Sequence, residues 1–275
     1  MTAEQNKHMF ESTILVLINF SEGEDNSLLY AISYAKNSNC SLILYHTTPE
    51  PLDQDAEKEQ HWKQRANEKM SEFTNHYSKE LSESNIPYQT YVNAYGVKKG
   101  VKTLAAQQFI ELVITDSPRE SGIFWKSLDK FSSAILTLDS HAILVIPANV
   151  KWKKPERVLL ALDGDEYYIK AQFESFRILN STFSSKVNVL EVIDVTGFRK
   201  WDQFELKKWL PNLSLKRDVV YGVDIVHSII QYAEKVPVDL ISVVSFPDHP
   251  LGCLRGTSVT KKIVPQINIP LLILK

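Results

Sequence analysis

Cysteine is nearly absent from the 275 residues: Cys40 and Cys253 stand alone, one in each half, with no Cys-x-x-Cys pair and no metal-ligand spacing around either. That excludes a disulfide framework and a cysteine-based zinc site, and it reads as reduced thiols of a cytoplasmic protein. Glycine is scarce, with nine residues. No Walker loop and no Gly-x-Gly-x-x-Gly follows an apolar strand, so dinucleotide cofactors are unsupported. His-Glu-x-x-His and Gly-x-Ser-x-Gly are missing too. His8, His61, His76, His141, His227 and His249 show no metal spacing with Cys or Asp, and no catalytic constellation is visible.

Long apolar runs are also lacking. None approaches the roughly eighteen residues of a membrane span, and Met1 to Phe10 hold no apolar core of a signal peptide. Charge of one sign is lacking as well: 31 basic residues face 33 acidic ones, for a net charge of −2. Without a basic field, nucleic acid is excluded as the expected partner. Lys151, Lys153, Lys154 and Arg157, around Trp152 and Pro155, read as a solvated linker.

What the chain does have is an internal repeat. Thr13-Ile-Leu-Val-Leu-Ile-Asn-Phe-Ser21 answers to Arg157-Val-Leu-Leu-Ala-Leu-Asp-Gly-Asp165, each an apolar run ending in polar turn residues. Helical spacing follows in both: Leu28, Ile32 and Ala35, then Ile169, Phe173 and Phe176. Second runs come at Ser41–His46 and Val187–Ile193. Third runs, Tyr91–Val97 and Asp218–Val223, carry Gly96 and Gly222 at their ends, where backbone freedom or close approach calls for glycine. Each opens a helix with apolar positions at Val97, Val101 and Leu104, or at Val223, Val226, Ile229 and Ile230. Glu111-Leu-Val-Ile-Thr115 matches Asp239-Leu-Ile-Ser-Val243, and the halves close on Ala142–Pro147 and Pro270–Leu274. Strands apolar on both faces, alternating with helices, specify an α/β fold with a covered parallel sheet. Its domains are placed at residues 1–150 and 151–275.

The halves differ between their second and third strands. Trp62, Ala66, Met70, Phe73, Tyr77 and Leu81 predict one amphipathic helix over 57–82 with a buried stripe. The second half has only Trp201, Phe204, Leu206, Trp209 and Leu210 before Pro211, a trimmed crossover that leaves a sheet face partly open.

From Ser12 to Lys275, and twice over, this order resembles the universal stress protein family. The resemblance rests on Asp163-Gly164, His46, Gly96, Gly222, Asp239-Leu240-Ile241 and the two closing strands. It implies two tandem Rossmann-like domains, each a five-stranded parallel sheet of order 3-2-1-4-5 flanked by helices, related by a pseudo-twofold. Ligand is then expected at the carboxyl ends of the strands. It also implies pairing through the last strands, Ile143–Ile146 with Leu271–Leu274, as an intrachain pseudo-dimer; a homodimer of the whole chain is left open.

Relatives that bind ATP carry Gly-x2-Gly-x9-Gly-(Ser/Thr) after the fourth strand, because glycine lets backbone N–H groups approach phosphate. In the second half those positions are Val244, Pro247, Thr257 and Ser258; in the first they are Asp116, Arg119, Asp129 and Lys130. A carboxylate 4 Å from a phosphate charge costs roughly 1 kcal/mol in water and about 4 kcal/mol at an effective dielectric near 20. The first-strand acid is Asn19 in the first half and Asp163 in the second. The resemblance therefore puts any ATP or AMP in the second domain, at Asp163, Val192, Gly222, Gly256, Thr257 and Ser258, with Gly256-Thr257-Ser258 also readable as a plain helix cap. Phe124 and Trp125 fall where relatives cover phosphate and are expected to fill that space or meet a partner. The implied function is a non-catalytic stress-response protein, with no catalytic residue and no metal, that binds a small ligand or a protein partner. The alternative is an adenine-nucleotide hydrolase using the second domain.

Overall fold

Each apolar run of the repeat forms a strand. The first half supplies β1 (Ser12–Leu17), β2 (Cys40–Thr47), β3 (Tyr88–Asn93), β4 (Ile110–Asp116) and β5 (Ile143–Ile146). The second supplies β6 (Arg157–Leu162), β7 (Lys186–Ile193), β8 (Leu215–Tyr221), β9 (Leu240–Val244) and β10 (Leu271–Leu274). A computed structural model describes residues 12–20, 25–47, 56–94, 96–117, 138, 141–162, 170–193, 206, 210, 215–222, 224–245 and 262–275. Two units result, residues 1–116 with 122–141 and residues 117–121 with 142–275.

In unit 1 the strands run in the order β3-β2-β1-β4, all parallel. In unit 2 the second half shows the complete 3-2-1-4-5 order as β8-β7-β6-β9-β10, again parallel. The units follow contacts and not chain order, because β5 lies in unit 2. It pairs antiparallel with β10, Leu271 opposite Val145, Leu272 opposite Leu144 and Ile273 opposite Ile143. The two closing strands are therefore neighbours within one chain, as expected. All four residues of each are buried, as strands covered on both faces must be.

Among the described residues the α-helices are α1 (Asp25–Ser38), α2 (Ala56–His76), α3 (Ser78–Ser84), α4 (Gly96–Ala105), α5 (Glu174–Phe183) and α6 (Ile225–Lys235). Most of their predicted apolar positions are buried: Leu28, Ile32 and Ala35 on α1, Val97, Val101 and Leu104 on α4, Phe176 on α5, Val226 and Ile229 on α6; Ile230 is half-buried, and Ile169 and Val223 lie outside the described residues. Asn39, Asn85 and Ser184 follow α1, α3 and α5 with φ between 54° and 55°, the left-handed stop that turns a chain out of a helix.

Two expectations are corrected. The helix over 57–82 is broken at Tyr77, whose φ and ψ of −97° and 19° end α2; its ring sits 4.9 Å from that of Phe73. Of the expected stripe, Ala66, Met70, Tyr77 and Leu81 are buried, but Trp62 is 39% exposed, since residues 60–65 all face solvent. The basic linker is not simply solvated either. Lys153 Nζ lies 2.7 Å from Asp239 Oδ1, and Arg157 adds its backbone N–H, Nε and Nη2 at 2.8 to 3.1 Å.

Burial alone raises the Asp239 pKa, but those donors outweigh it and hold the carboxyl at about 2, below its ordinary 3.8. A depressed carboxyl stabilises the fold above its unfolded value and loses that stability as pH falls through the folded one. The contribution, screened by the water around the exposed Lys153 and Arg157, is present above about pH 4 and lost toward pH 2. Acid unfolding followed by circular dichroism should show this slope and should lack it in Asp239→Asn. In the core of unit 2, Ser242 is fully buried and its hydroxyl has no partner among the described residues, with Leu160 and Leu272 beside it in the ladder. Ser242→Ala removes an unpaid desolvation and should raise unfolding stability by about 1 kcal/mol in urea; a loss would mean the hydroxyl is satisfied in solution.

Candidate functional site

The carboxyl ends of β1 and β4 flank the point where unit 1's strand order reverses, the crevice in which open α/β sheets hold ligands. There Asp116, the last residue of β4, reaches into the first turn of α1. Its Oδ1 accepts the Ser27 backbone N–H at 3.1 Å and its Oδ2 the Ser27 hydroxyl at 2.7 Å. A helix N-terminus offers N–H donors and a partial positive charge to an anion. Here the chain's own carboxylate accepts from one of them, on a serine that is fully buried.

An aromatic cluster stands at the neighbouring carboxyl ends of β1 and β2. Phe20, directly after Asn19, adopts φ 59°, a conformation costing a bulky L-residue roughly 1–2 kcal/mol. Its ring centroid lies 4.3 Å from that of His46 and 6.2 Å from that of Phe73. His46 Nδ1 is 2.7 Å from the carbonyl oxygen of Ile18. Burial, with Lys69 adding to it, lowers the His46 pKa against that hydrogen bond. Nδ1 carries a proton and donates it to the carbonyl, which can only accept. His46 is thereby held as an oriented structural group under Phe20. Sequence reasoning missed Phe20; its one signal was an aromatic where a strand should give way to turn residues.

On the other face of unit 1, Tyr45 is fully buried, and its hydroxyl donates to Asn93 Oδ1 at 3.2 Å or to the Gly96 carbonyl at 3.3 Å. Burial pushes this phenol up to about 12, so it stays protonated. The two strand-end glycines serve different needs. Gly96 sits at φ 74° with open space around it, whereas a Cβ on Gly222 would stand 2.3 Å from Ser228 Oγ. At the amino end of the sheet, burial first and then Glu111 push the Cys40 thiol up to about 11. It lies 3.5 Å from Glu111 Oε2, a protonated and therefore poorly nucleophilic thiol.

In unit 2, Val192 on β7 is 1% exposed. Gly222 follows β8, and its N–H donates to the carbonyl of Ile193 at 3.1 Å, so the structure brings these two candidates to adjoining strand ends. The first turn of α6 beside Gly222 is capped by its own Asp224, which accepts from His227 N–H at 3.1 Å. Val244 ends β9, and Ser245 after it donates its N–H to the Leu274 carbonyl at 2.9 Å. Asp163, Gly256, Thr257 and Ser258 lie outside the described residues, as do Arg119, Phe124, Trp125, Asp129, Lys130 and Pro247. Among the described residues no group of three His, Cys, Asp or Glu is placed to hold a metal, and no helix is long and apolar enough to cross a membrane.

These features define a tandem, doubly wound α/β protein. Its fold is that of the tandem universal stress proteins. A universal stress protein from Archaeoglobus fulgidus superposes with a TM-score of 0.70 at 13% identity, covering 96% of this chain and 98% of that one. A candidate universal stress protein from Pseudomonas aeruginosa gives 0.62 at 14%, over 96% and 92%. The cytoplasmic domain of a prokaryotic cation chloride cotransporter gives 0.55 at 9%, over 96% and 95%. No family model matches the sequence, and no curated protein does.

Proposed function

We propose that the chain is a cytoplasmic universal stress protein that performs no chemistry of its own and acts by binding a small ligand or a protein partner. Any ATP or AMP is confined to the second half, at Asp163, Val192, Gly222, Gly256, Thr257 and Ser258. The observation that carries this reading is the Asp116 carboxylate on the first turn of α1. A phosphate brought to that crevice meets a like charge, at about 1 to 4 kcal/mol, and must displace a charge-assisted hydrogen bond worth about 1.5–3 kcal/mol. Phe20 and His46 add an aromatic pair at the neighbouring ends of β1 and β2. The fold supports the reading as well, because it occurs both in universal stress proteins and in a domain of a transporter.

Calorimetric titration with Mg-ATP tests it. The expected result is binding weaker than micromolar, at no more than one site per chain, abolished by Asp163→Ala and accompanied by no release of phosphate. Two sites per chain, or micromolar binding that survives Asp163→Ala, would overturn the assignment of the pocket. Steady ATP turnover would overturn the non-catalytic reading and establish the hydrolase in its place.

A further inference from the structure

Among the described residues β3 pairs with β2 alone, so one side of its backbone faces away from the sheet of unit 1. The ladder tells which groups point that way. Leu42 N–H donates to the Pro87 carbonyl at 2.9 Å, and across a planar trans peptide the C=O of one residue and the N–H of the next point in opposite directions. The N–H and C=O groups of Tyr88, Thr90 and Val92 therefore point outward, while those of Gln89 and Tyr91 turn toward β2. Tyr88, Gln89 and Thr90 are exposed, Tyr88 by 43%. An outward row of backbone donors and acceptors is a template for one more strand.

Proteins guard such edges with charged side chains or proline, and the internal repeat supplies the comparison. With Thr13 answering to Arg157, the strand registers set Leu42 against Val187, and these pair with Tyr88 and Leu215. Gln89, Thr90 and Tyr91 thus answer to Lys216, Arg217 and Asp218. The outer strand of unit 2 carries three charges in succession, with the Lys216 side chain 69% exposed. At the same place unit 1 carries none, and no charged residue occurs from Ser84 to Val97. Pro87 precedes the strand and turns its carbonyl to β2, so it blocks none of the outward groups.

This edge is complementary to itself. Two copies of β3 meet antiparallel about a twofold axis normal to the sheet, which keeps each face continuous across the contact. Centred on Thr90, the register sets Thr90 against Thr90 and Tyr88 against Val92, so that every outward-pointing residue exchanges N–H and C=O bonds with its opposite. Gln89 then stands against Tyr91. Threonine pairs and aromatic pairs with β-branched residues are favourable cross-strand neighbours, and no like charges meet. The counterpart register on β8 would set Arg217 against Arg217, a destabilising opposition.

We infer that the protein forms a homodimer through its β3 edge, by antiparallel pairing of Tyr88–Val92 with the same residues of a second copy. The inference goes beyond the function proposed above and is independent of any nucleotide. Sedimentation equilibrium of the full chain tests it: the mass should rise with concentration toward twice the 31.4 kDa of one chain. Thr90→Lys and Thr90→Glu each bring like charges face to face and should weaken self-association at least about tenfold. An equimolar mixture of the two should restore it as a mixed dimer, and Thr90→Val, β-branched and uncharged, should retain it. Residue-resolved hydrogen exchange gives the location. The amides of Tyr88, Thr90 and Val92 should slow as concentration rises, whereas those of Gln89 and Tyr91 should be slow throughout. A mass of one chain at every concentration up to the solubility limit overturns the inference, as does a dimer indifferent to Thr90→Lys. So does a mixture of Thr90→Lys and Thr90→Glu that stays monomeric while both variants melt as the parent does.

Discussion

Arg217→Met should destabilise unit 2 by about 3 kcal/mol, because it strips the cation from a carboxylate that has nowhere to go. Glu191 is fully buried. Its Oε2 accepts from both Nε and Nη2 of Arg217, while its Oε1 has no partner among the described residues. Breaking a buried pair by removing one member costs about 3–5 kcal/mol, whereas replacing both members with apolar groups of similar volume is often near neutral. The 28% exposure of the Arg217 side chain places the expected value at the lower end. Urea unfolding of Arg217→Met should show this loss, and the double change Glu191→Met with Arg217→Met should recover most of it. A single variant within about 0.5 kcal/mol of the parent, the range of an ordinary surface substitution, would mean that water reaches Glu191.

The second large effect is steric. Gly100 lies in α4, where a Cβ would stand 1.9 Å from the Tyr45 hydroxyl, 2.3 Å from Asn93 Nδ2 and 2.8 Å from Tyr45 Cζ. No rotamer of alanine relieves a clash made by Cβ itself, and the tyrosine is held by Asn93 and the Gly96 carbonyl. Gly100→Ala must therefore lift α4 or displace the ring, at about 1–3 kcal/mol of overpacking. That outweighs the roughly 0.8–1.0 kcal/mol that alanine gains over glycine inside a helix. Tyr45→Phe removes the nearest atom, so the double variant should lose less than the sum of the two single losses, by about 1 kcal/mol. Strict additivity in thermal melts would show that the helix, and not the ring, gives way.

Strands were legible where both faces are buried, as in β4, β9 and β10, because an apolar run bounded by polar residues has one physical reading. The start of β3 was not, because Tyr88, Gln89 and Thr90 are exposed and carry neither an apolar run nor an alternation. The stripe through Trp62 and Tyr77 has helical period throughout, yet periodicity records only which side chains share a face. It does not record that residues 60–65 face solvent or that the backbone at Tyr77 departs from helical φ and ψ while keeping its hydrogen bonds to Phe73 and Leu81. At the site, the carboxylate of Asp116 was readable as a misplaced charge, but its partner Ser27 lies 89 residues away and follows only from topology. The left-handed turn at Phe20 was beyond reach, since the sequence offers no glycine or asparagine at that position to announce it.

The antiparallel ladder between β5 and β10 carries an evolutionary consequence. In a symmetric homodimer one gene writes both sides of the contact, so every substitution appears twice and must remain compatible with its own image. Covalent fusion releases that constraint, because Val145 can drift without altering Leu271, and Ile143 without altering Ile273. One lobe is then free to degenerate into a scaffold while its sibling retains or acquires a binding role.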